Sequence, residues 1–260
     1  MTVSAPRWCV LIPCFNEEEA IQSVCESVLA LGVSVIVVDD GSNDRTPEIL
    51  ATLPVTLLRH AQRCGKGEAL RHGFSEALRQ GFDAVLTMDG DGQHVAEDIP
   101  RIAAAAALYP GHMVIGARLR ERAQQPRGRR LANAVADWGI SCACAQPVAD
   151  TQSGQRWYPR AAMELVDLPA ERFVFEAAIL IAASREKRIG VVSVPIVSRY
   201  HAAFRRSYFS PVRDVTRITL YTIGRAFHYG DLAASYRRSR GQPVIVDQGS
   251  MDDVDGLTTT

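Results

Sequence analysis

Asp89 and Asp91 lie two positions apart in Met88-Asp89-Gly90-Asp91-Gly92-Gln93-His94. Two carboxylates, an amide and an imidazole in one short turn form an oxygen-rich group. Such a set suits a hard divalent cation, Mg2+ or Mn2+, which keeps several waters and takes phosphate oxygens as ligands. The preceding Ala84-Val85-Leu86-Thr87 has the short apolar pattern of a buried parallel strand. The carboxylates therefore emerge at the C-terminal end of a strand, where open α/β sheets bind ligands. A second acidic pair, Asp39-Asp40, follows the apolar run Val33 to Val38 in the same way. If both strands are parallel, both turns share one rim of the sheet. One pair can then accept hydrogen bonds from a base or ribose, while the other holds a metal and its diphosphate.

Several readings of the Asp89–Asp91 turn compete with a plain solvated loop. An EF-hand counted from Asp89 needs Gly and Glu where His94 and Pro100 stand, so it fails. A haloacid-dehalogenase-type phosphatase would use Asp89 as nucleophile and needs a downstream Gly-Asp-x-x-x-Asp. Gly230-Asp231 is followed by Ser235 at that place. A metal-dependent nucleotide-sugar transferase uses an Asp-x-Asp turn to hold a diphosphate, and a nucleotide-sugar sensor would do so without turnover.

The elements around these turns alternate between strand and helix. Trp8 to Ile12 reads as a first strand ended by Pro13, and Glu17-Glu18-Glu19 as the first turn of a helix running to about Leu31. Thr46 is the expected N-cap of a short helix with Pro47 at its first position. Strand Val55 to Arg59, a helix from Glu68 to Arg79, a helix from about Asp98 to Leu108 and strand His112 to Gly116 complete the pattern. The order argues a mostly parallel sheet with helices on both faces. Gly65-Lys66-Gly67 lacks P-loop spacing, and no dinucleotide fingerprint follows the first strand.

Formal net charge is zero and 47% of residues are hydrophobic, enough for a sizeable core. The charge is uneven. Arg118 to Arg130 holds six Arg against Glu121, and Arg185 to Arg240 holds twelve basic residues against three acidic. Basic clusters of this kind suit nucleotides, lipid phosphates or an anionic membrane surface. A nucleic-acid partner is not expected. The six cysteines form no Cys-x-x-Cys pair and read as reduced, mostly buried thiols. No signal peptide and no membrane-spanning run is evident.

Four segments occur in order: Ile12-Pro13-Cys14-Phe15-Asn16-Glu17-Glu18, Val37-Val38-Asp39-Asp40-Gly41-Ser42-Asn43-Asp44, Gly65-Lys66-Gly67-Glu68-Ala69-Leu70-Arg71, and the Asp89–Asp91 turn. Gly116-Ala117-Arg118, Asp150-Thr151-Gln152-Ser153-Gly154-Gln155-Arg156, Phe175-Glu176 and Val194-Pro195-Ile196 follow. The ordered set resembles family-2 inverting glycosyltransferases, in particular the dolichol- or polyprenyl-phosphate sugar synthases. The resemblance covers about residues 10–213. It implies a GT-A fold, a Rossmann-like nucleotide half joined to an acceptor half, over one domain of residues 1–241. The donor half spans about 8–118 and the acceptor half about 119–213. Beyond the resemblance, the residues themselves suggest an interfacial helix at about 214–241, and the Gly-, Thr- and Asp-rich stretch 242–260, without periodicity, reads as a disordered tail.

Carried over by position, the resemblance assigns Pro13, Phe15, Glu17 and Asp40 to the nucleoside. It gives Asp91 and Gln93 to Mg2+ or Mn2+ as direct ligands, with Asp89 on the diphosphate side. Arg118, and more loosely Arg130, would meet phosphate. Ser207-Tyr208-Phe209 resembles a mobile acceptor loop. The donor would be a UDP- or GDP-sugar. The acceptor would be lipid-linked, a polyprenyl phosphate met at the cytoplasmic face of the membrane, or else a glycolipid, a polyketide-like lipid or a polysaccharide precursor. The sequence departs from the family at Arg63, Gly90, Gln155 and Tyr208, and lacks the transmembrane pair many bacterial members carry.

A lipid phosphate is anionic and attacks unaided, whereas a hydroxyl acceptor needs a base. Glu176, then Asp150, are the candidates, and Glu176 also suits a helix N-terminus. Gln152 and Arg156 could contact the sugar or donor phosphate, though Arg156-Trp157-Tyr158 equally reads as a buried cluster. Lys66 could reach a phosphate or mark a solvated helix start. His94 reads equally as a metal neighbour or a backbone-bonded loop residue. Arg213, Arg217, Tyr221 and Arg225 recur every four residues. Val215, Ile218, Thr219, Thr222, Ile223 and Ala226 fall largely opposite, as in an interfacial helix or one packed with its Arg side outward.

Overall fold

The computed structural model describes residues 6–119, 127–170, 174–197 and 211–247. In chain order the elements are β1 (Trp8–Cys14), α1 (Ile21–Leu29), β2 (Ser34–Asp39), α2 (Thr46–Leu50), β3 (Thr56–Arg59), α3 (Lys66–Arg79), β4 (Ala84–Thr87), α4 (Ile99–Leu108) and β5 (Met113–Ala117). Then come α5 (Arg127–Cys144), β6 (Arg156–Pro159), α6 (Arg160–Met163), α7 (Val174–Glu186), β7 (Val191–Pro195), α8 (Pro211–His228), α9 (Leu232–Ser239) and β8 (Val244–Ile245). They form one eight-stranded sheet in the order β3-β2-β1-β4-β6-β5-β7-β8. Every pairing is parallel except those of β6 with β4 and β5. Strand order reverses between β1 and β4, the kind of switch point at which such sheets open a ligand crevice.

Strand residues alternate between two cores, as a period of two requires. Leu11, Val38, Val85 and Ile115 face the core under α3, α5, α7 and α8. Val10, Val37, Leu86 and Val114 face the core under α1 and α4. α7 has nine buried residues among its 13 and no polar stripe. It lies beneath α5 and α8, which explains an apolar circumference. Among the described residues no helix is long and apolar enough to cross a membrane.

Several local expectations are corrected. β1 runs past Pro13 to Cys14. Pro13 faces the β4 side, where pairing has already stopped at Leu11–Thr87, so its missing N–H costs no ladder bond. α1 begins at Ile21, so Glu17–Glu19 precede it. Instead Glu17 N–H donates to Thr46 Oγ1 at 2.8 Å, and Glu18 Oε2 accepts from Arg45 N–H at 3.0 Å. Glu17 and Glu18 thus tie the β1 loop to the β2 loop, and Thr46 serves that tie while Arg45 holds the N-cap position of α2.

On α8, Ile218 and Thr222 are buried, and Tyr221, Arg225 and Ala226 are half-buried. Val215, Arg217, Thr219, Leu220, Ile223 and Phe227 are exposed. The line of Arg and Tyr is therefore not one outward face. The tail expected to lack structure from Gln242 onward does not do so throughout. Val244–Ile245 pairs with β7, and Val246 is buried with its N–H on Ser193 O at 2.8 Å. Ser207-Tyr208-Phe209 and residues 248–260 lie outside the described residues.

Candidate active site

The two acidic turns do share a rim. β1 lies between β2 and β4, with Cys14 in register with Asp39 and Leu11 with Thr87. Asp39 is fully buried and structural: it accepts from Ser42 N–H at 2.9 Å and pairs with Arg59 at 3.1 Å. Asp40 points into the rim. Its Oδ1 accepts from Cys64 N–H at 2.8 Å and its Oδ2 from Gly65 N–H at 2.7 Å. His60 Nδ1 lies 2.8 Å from Asp40 Oδ1, and His60 Nε2 lies 3.2 Å from His72 Nδ1. Gly41 makes this possible, because at φ +78° a Cβ there would stand 2.7 Å from the Gln62 backbone. The Arg63 guanidinium lies 4.4 Å from the Phe15 ring centroid, a cation–π stack that joins the segment before Cys64 to the β1 loop.

The β4 turn meets a cation. Lys66 Nζ lies 2.7 Å from Asp89 Oδ1 and 3.2 Å from Glu176 Oε2, with the Lys66 side chain 18% exposed and Asp89 30%. Lys66 is thus no solvated helix start. Burial pulls its pKa down, but Asp89 and Glu176 outweigh that and hold it above the usual lysine range. Asp89 is held down at about 2: burial opposes ionisation, and Lys66, His94 and Arg118 overcome it. Asp91 is pushed up to about 6 by burial and by the Asp89 charge, while its Oδ1 accepts from Gln93 N–H at 3.0 Å. Gly154 passes so close that a Cβ there would lie 2.6 Å from Asp89 Oδ2 and 3.0 Å from Lys66 Nζ.

The donor set fits a hard divalent cation. Lys66 takes one oxygen of Asp89, leaving Oδ2, the Asp91 carboxylate and the Gln93 amide oxygen. A bound cation would offset the burial and the Asp89 charge that raise Asp91. Among the described residues, the His, Cys, Asp and Glu ligand atoms that converge within 4.8 Å belong instead to Asp40, His60 and Cys64. There the Asp40 carboxylate is already engaged by two backbone donors and the His60 ring.

His94 Nδ1 accepts from Asp89 N–H at 3.4 Å, and burial holds the ring down at about 4, so it is neutral and backbone-bonded. Arg118 is gripped by Asp150, whose Oδ2 accepts from Arg118 N–H and Nε–H and whose Oδ1 accepts from Nη2–H, all at 2.8 Å. Its charge still bears on Asp89. Arg156 is a buried structural group, donating to Ser153 O at 2.7 Å, Glu176 O at 2.9 Å and Thr151 O at 2.6 Å. Those bonds fold the segment that carries Gln152 and fix the first turn of α7 that carries Glu176. Pro13 is buried and Glu17 half-buried beside Asp40's loop, and Arg130 is exposed in the first turn of α5.

His60, His72, Cys64 and the Lys66–Glu176 pairing were not anticipated. His60 and His72 are twelve residues apart, and no local pattern joins a β3 end to a position inside α3.

Residues 9–212 match the profile of "Glycosyl transferase family 2". The chain is 28% identical to the UDP-N-acetylglucosamine–dolichyl-phosphate N-acetylglucosaminyltransferase of Methanococcus voltae, over 74% of this chain and 85% of that protein. It is 32% identical to the undecaprenyl-phosphate 4-deoxy-4-formamido-L-arabinose transferase of Pectobacterium atrosepticum, over 58% of this chain and 48% of that one. Its fold resembles that of glucosyl-3-phosphoglycerate synthase from Mycobacterium tuberculosis, with a TM-score of 0.63 at 24% identity, covering 85% of this chain and 80% of that chain.

Proposed function

The chain belongs to glycosyl transferase family 2, and on that premise we propose that this glycosyltransferase moves a sugar, with inversion, from a UDP- or GDP-sugar to a polyprenyl phosphate at the inner face of the cell membrane. In this reading residues to about 118 form the donor half and residues 119–213 the acceptor half. Pro13, Phe15, Glu17 and Asp40 line the nucleoside pocket. Asp89, Asp91 and Gln93 would hold Mg2+ or Mn2+, which when bound supplies positive charge to the diphosphate leaving group.

The chain's own residues do the rest. Lys66 keeps Asp89 ionised and orients it. Arg118, steered by Asp150, adds positive potential where the leaving group gains charge. In this reading Gln152 would contact the sugar, and Arg130 a phosphate. An acceptor oxygen attacks the anomeric carbon as its bond to the β-phosphate oxygen breaks, and the nucleoside diphosphate departs.

The observation that carries the choice of acceptor is the engagement of both candidate bases. Glu176 is paired with Lys66 and Asp150 with Arg118. A carboxylate held by a cation is a poor proton acceptor, whereas a phosphate needs none removed. Two relatives named for dolichyl-phosphate and undecaprenyl-phosphate chemistry support the same reading.

The test incubates purified protein with radiolabelled UDP- and GDP-sugars, Mn2+ or Mg2+, and a lipid panel holding polyprenyl phosphate, glycolipids and polysaccharide precursors. An acid-labile lipid product is expected with polyprenyl phosphate. A product only on a hydroxyl acceptor would refute the phosphate assignment and return Glu176 to the role of base.

A further inference from the structure

Asp40, His60 and Cys64 converge from separate places in the chain: Asp40 follows β2, His60 follows β3 and Cys64 precedes α3. Each offers one ligand atom, and those atoms lie within 4.8 Å of one another. A carboxylate oxygen, an imidazole nitrogen and a thiol sulfur make a mixed, borderline-soft set. Asp89, Asp91 and Gln93 offer oxygen alone. Hard Mg2+ or Mn2+ suits that turn, whereas Zn2+ suits the set of oxygen, nitrogen and sulfur.

The surroundings are those of a supported ligand set. His60 Nδ1 lies 2.8 Å from Asp40 Oδ1, and on the far side of the ring His60 Nε2 lies 3.2 Å from His72 Nδ1. The two rings are nearly parallel, 4° apart. A ligating histidine donates its other ring N–H to an outer partner that fixes its tautomer, and His72 stands in that place. The same contact argues against a Cys-His-Asp nucleophile, in which the ring nitrogen remote from the carboxylate serves the thiol. Cys64 N–H and Gly65 N–H hold the Asp40 carboxylate from behind, at 2.8 and 2.7 Å, and each carboxylate oxygen has a second lone pair to give. Cys64 is exposed, and its Sγ donates to Gln62 O at 3.3 Å, a weak bond that a metal–sulfur bond would replace. Asp40 is buried, so the cluster opens to solvent through its sulfur.

We propose that Asp40, His60 and Cys64 bind a Zn2+-class cation, with water as a further ligand, and that the bound cation closes the nucleoside pocket. Starting from a neutral ring, metal on His60 Nδ1 leaves the ring proton on Nε2, where it is donated to His72. The Cys64 thiol gives its proton to solvent as the sulfur–metal bond forms. The Asp40 carboxylate then serves the metal, and the cation stands where a base or ribose would meet it. The closure deepens the nucleoside reading of Asp40 given above and rests on it; the metal site does not.

The test titrates full-length protein with Co2+ in excess Mg2+. A thiolate-to-cobalt charge-transfer band should rise, and Zn2+ should bleach it. The oxygen ligands at the Asp89–Asp91 turn cannot give that band. Cys64→Ser should lose the band with its thermal melt intact, because the side chain is exposed. His72→Ala should weaken Co2+ binding roughly tenfold or more. No band in the wild type, or the same band in Cys64→Ser, would overturn the site, and unchanged affinity in His72→Ala would overturn the supporting role of that ring. Equilibrium dialysis with radiolabelled UDP and GDP then tests the closure. With Zn2+ about tenfold above its own dissociation constant, nucleotide affinity should fall about tenfold in the wild type and hold in Cys64→Ser. Affinity untouched by Zn2+, or an equal fall in Cys64→Ser, would overturn the closure. Retention of neither nucleotide with Mg2+ alone would sink the nucleoside reading and the closure with it, and leave the metal site standing on its band.

Discussion

Lys66 Nζ sits 2.7 Å from Asp89 Oδ1 and 3.2 Å from Glu176 Oε2, so one cation joins the turn after β4 to the first turn of α7. Removing it leaves two carboxylates facing each other in a mostly closed site. Lys66→Met is expected to lower sugar transfer by roughly a hundredfold and stability by about 1–3 kcal/mol. Lys66→Arg should restore the stability without the full activity, because the guanidinium is larger and planar. Turnover and thermal melts of both variants check this; wild-type rates in Lys66→Met would remove the pairing from the account.

Arg118 and Asp150 form a two-pronged pair, reinforced by the Arg118 backbone N–H. Asp150 adopts φ 50°, a left-handed conformation that a β-carbon disfavours. That grip sets where the guanidinium points. A double-mutant cycle of Arg118→Lys and Asp150→Asn is expected to give a coupling of about 1–3 kcal/mol in stability. Additive effects would mean the two act independently.

Cys64 is exposed, whereas Cys9, Cys25 and Cys144 are buried and burial pushes each thiol up to about 12. A thiol reagent near neutral pH should label Cys64 first. Its backbone N–H binds Asp40, so UDP or GDP bound in the nucleoside pocket should slow that labelling. Mass spectrometry of the labelled peptides reads it directly. Labelling indifferent to both nucleotides would place the nucleoside elsewhere.

Asp231 joins α7 to α9 by pairing with Arg185 and Arg238, and these bonds hold its carboxyl at about 2, below its ordinary range. A depressed carboxylate pKa contributes stability above the unfolded value of about 3.9, lost as pH falls through the folded one. The window is therefore about pH 4 to 2. The side chain is 35% exposed, so salt should screen the effect. Trp138 touches Tyr236 of α9 with ring centroids 6.4 Å apart, which makes its fluorescence a local reporter. Asp231→Asn should weaken the acid-induced change, and an unaltered acid limb would show that other groups control it.

Much of this arrangement was readable without coordinates, for local reasons. A strand running into Asp89-Gly-Asp91, and another into Asp39-Asp40, announces its own geometry, because strand end and turn are contiguous. Pairings across distant segments were not legible. Lys66, Asp89 and Glu176 come from three separate elements, and no pattern near Lys66 distinguishes a bridging lysine from a solvated one. Arg156 could have been a phosphate ligand; three carbonyls around a buried guanidinium make it a scaffold. The faces of α8 were misassigned because Arg at every fourth position suggests one outward stripe. Packing on α7 instead buries Ile218 and Thr222 and turns Leu220 and Phe227 outward. Pro13 looked like a strand end because a missing N–H usually ends a ladder, and only the sheet order shows that no partner remained on that side.

The central claim is that the Asp89–Asp91 turn holds the diphosphate of a nucleotide sugar with a divalent cation while a lipid phosphate receives the sugar. The most direct measurement is radiolabelled transfer from the UDP- or GDP-sugar that stabilises the protein to polyprenyl phosphate. It compares wild type and Asp91→Asn, with Mn2+ and with EDTA. Acid-labile glycolipid should form with wild type and Mn2+, vanish with EDTA, and fall roughly a hundredfold or more in the variant. Equal product in all conditions, or none on lipid phosphate while another acceptor is glycosylated, would contradict it.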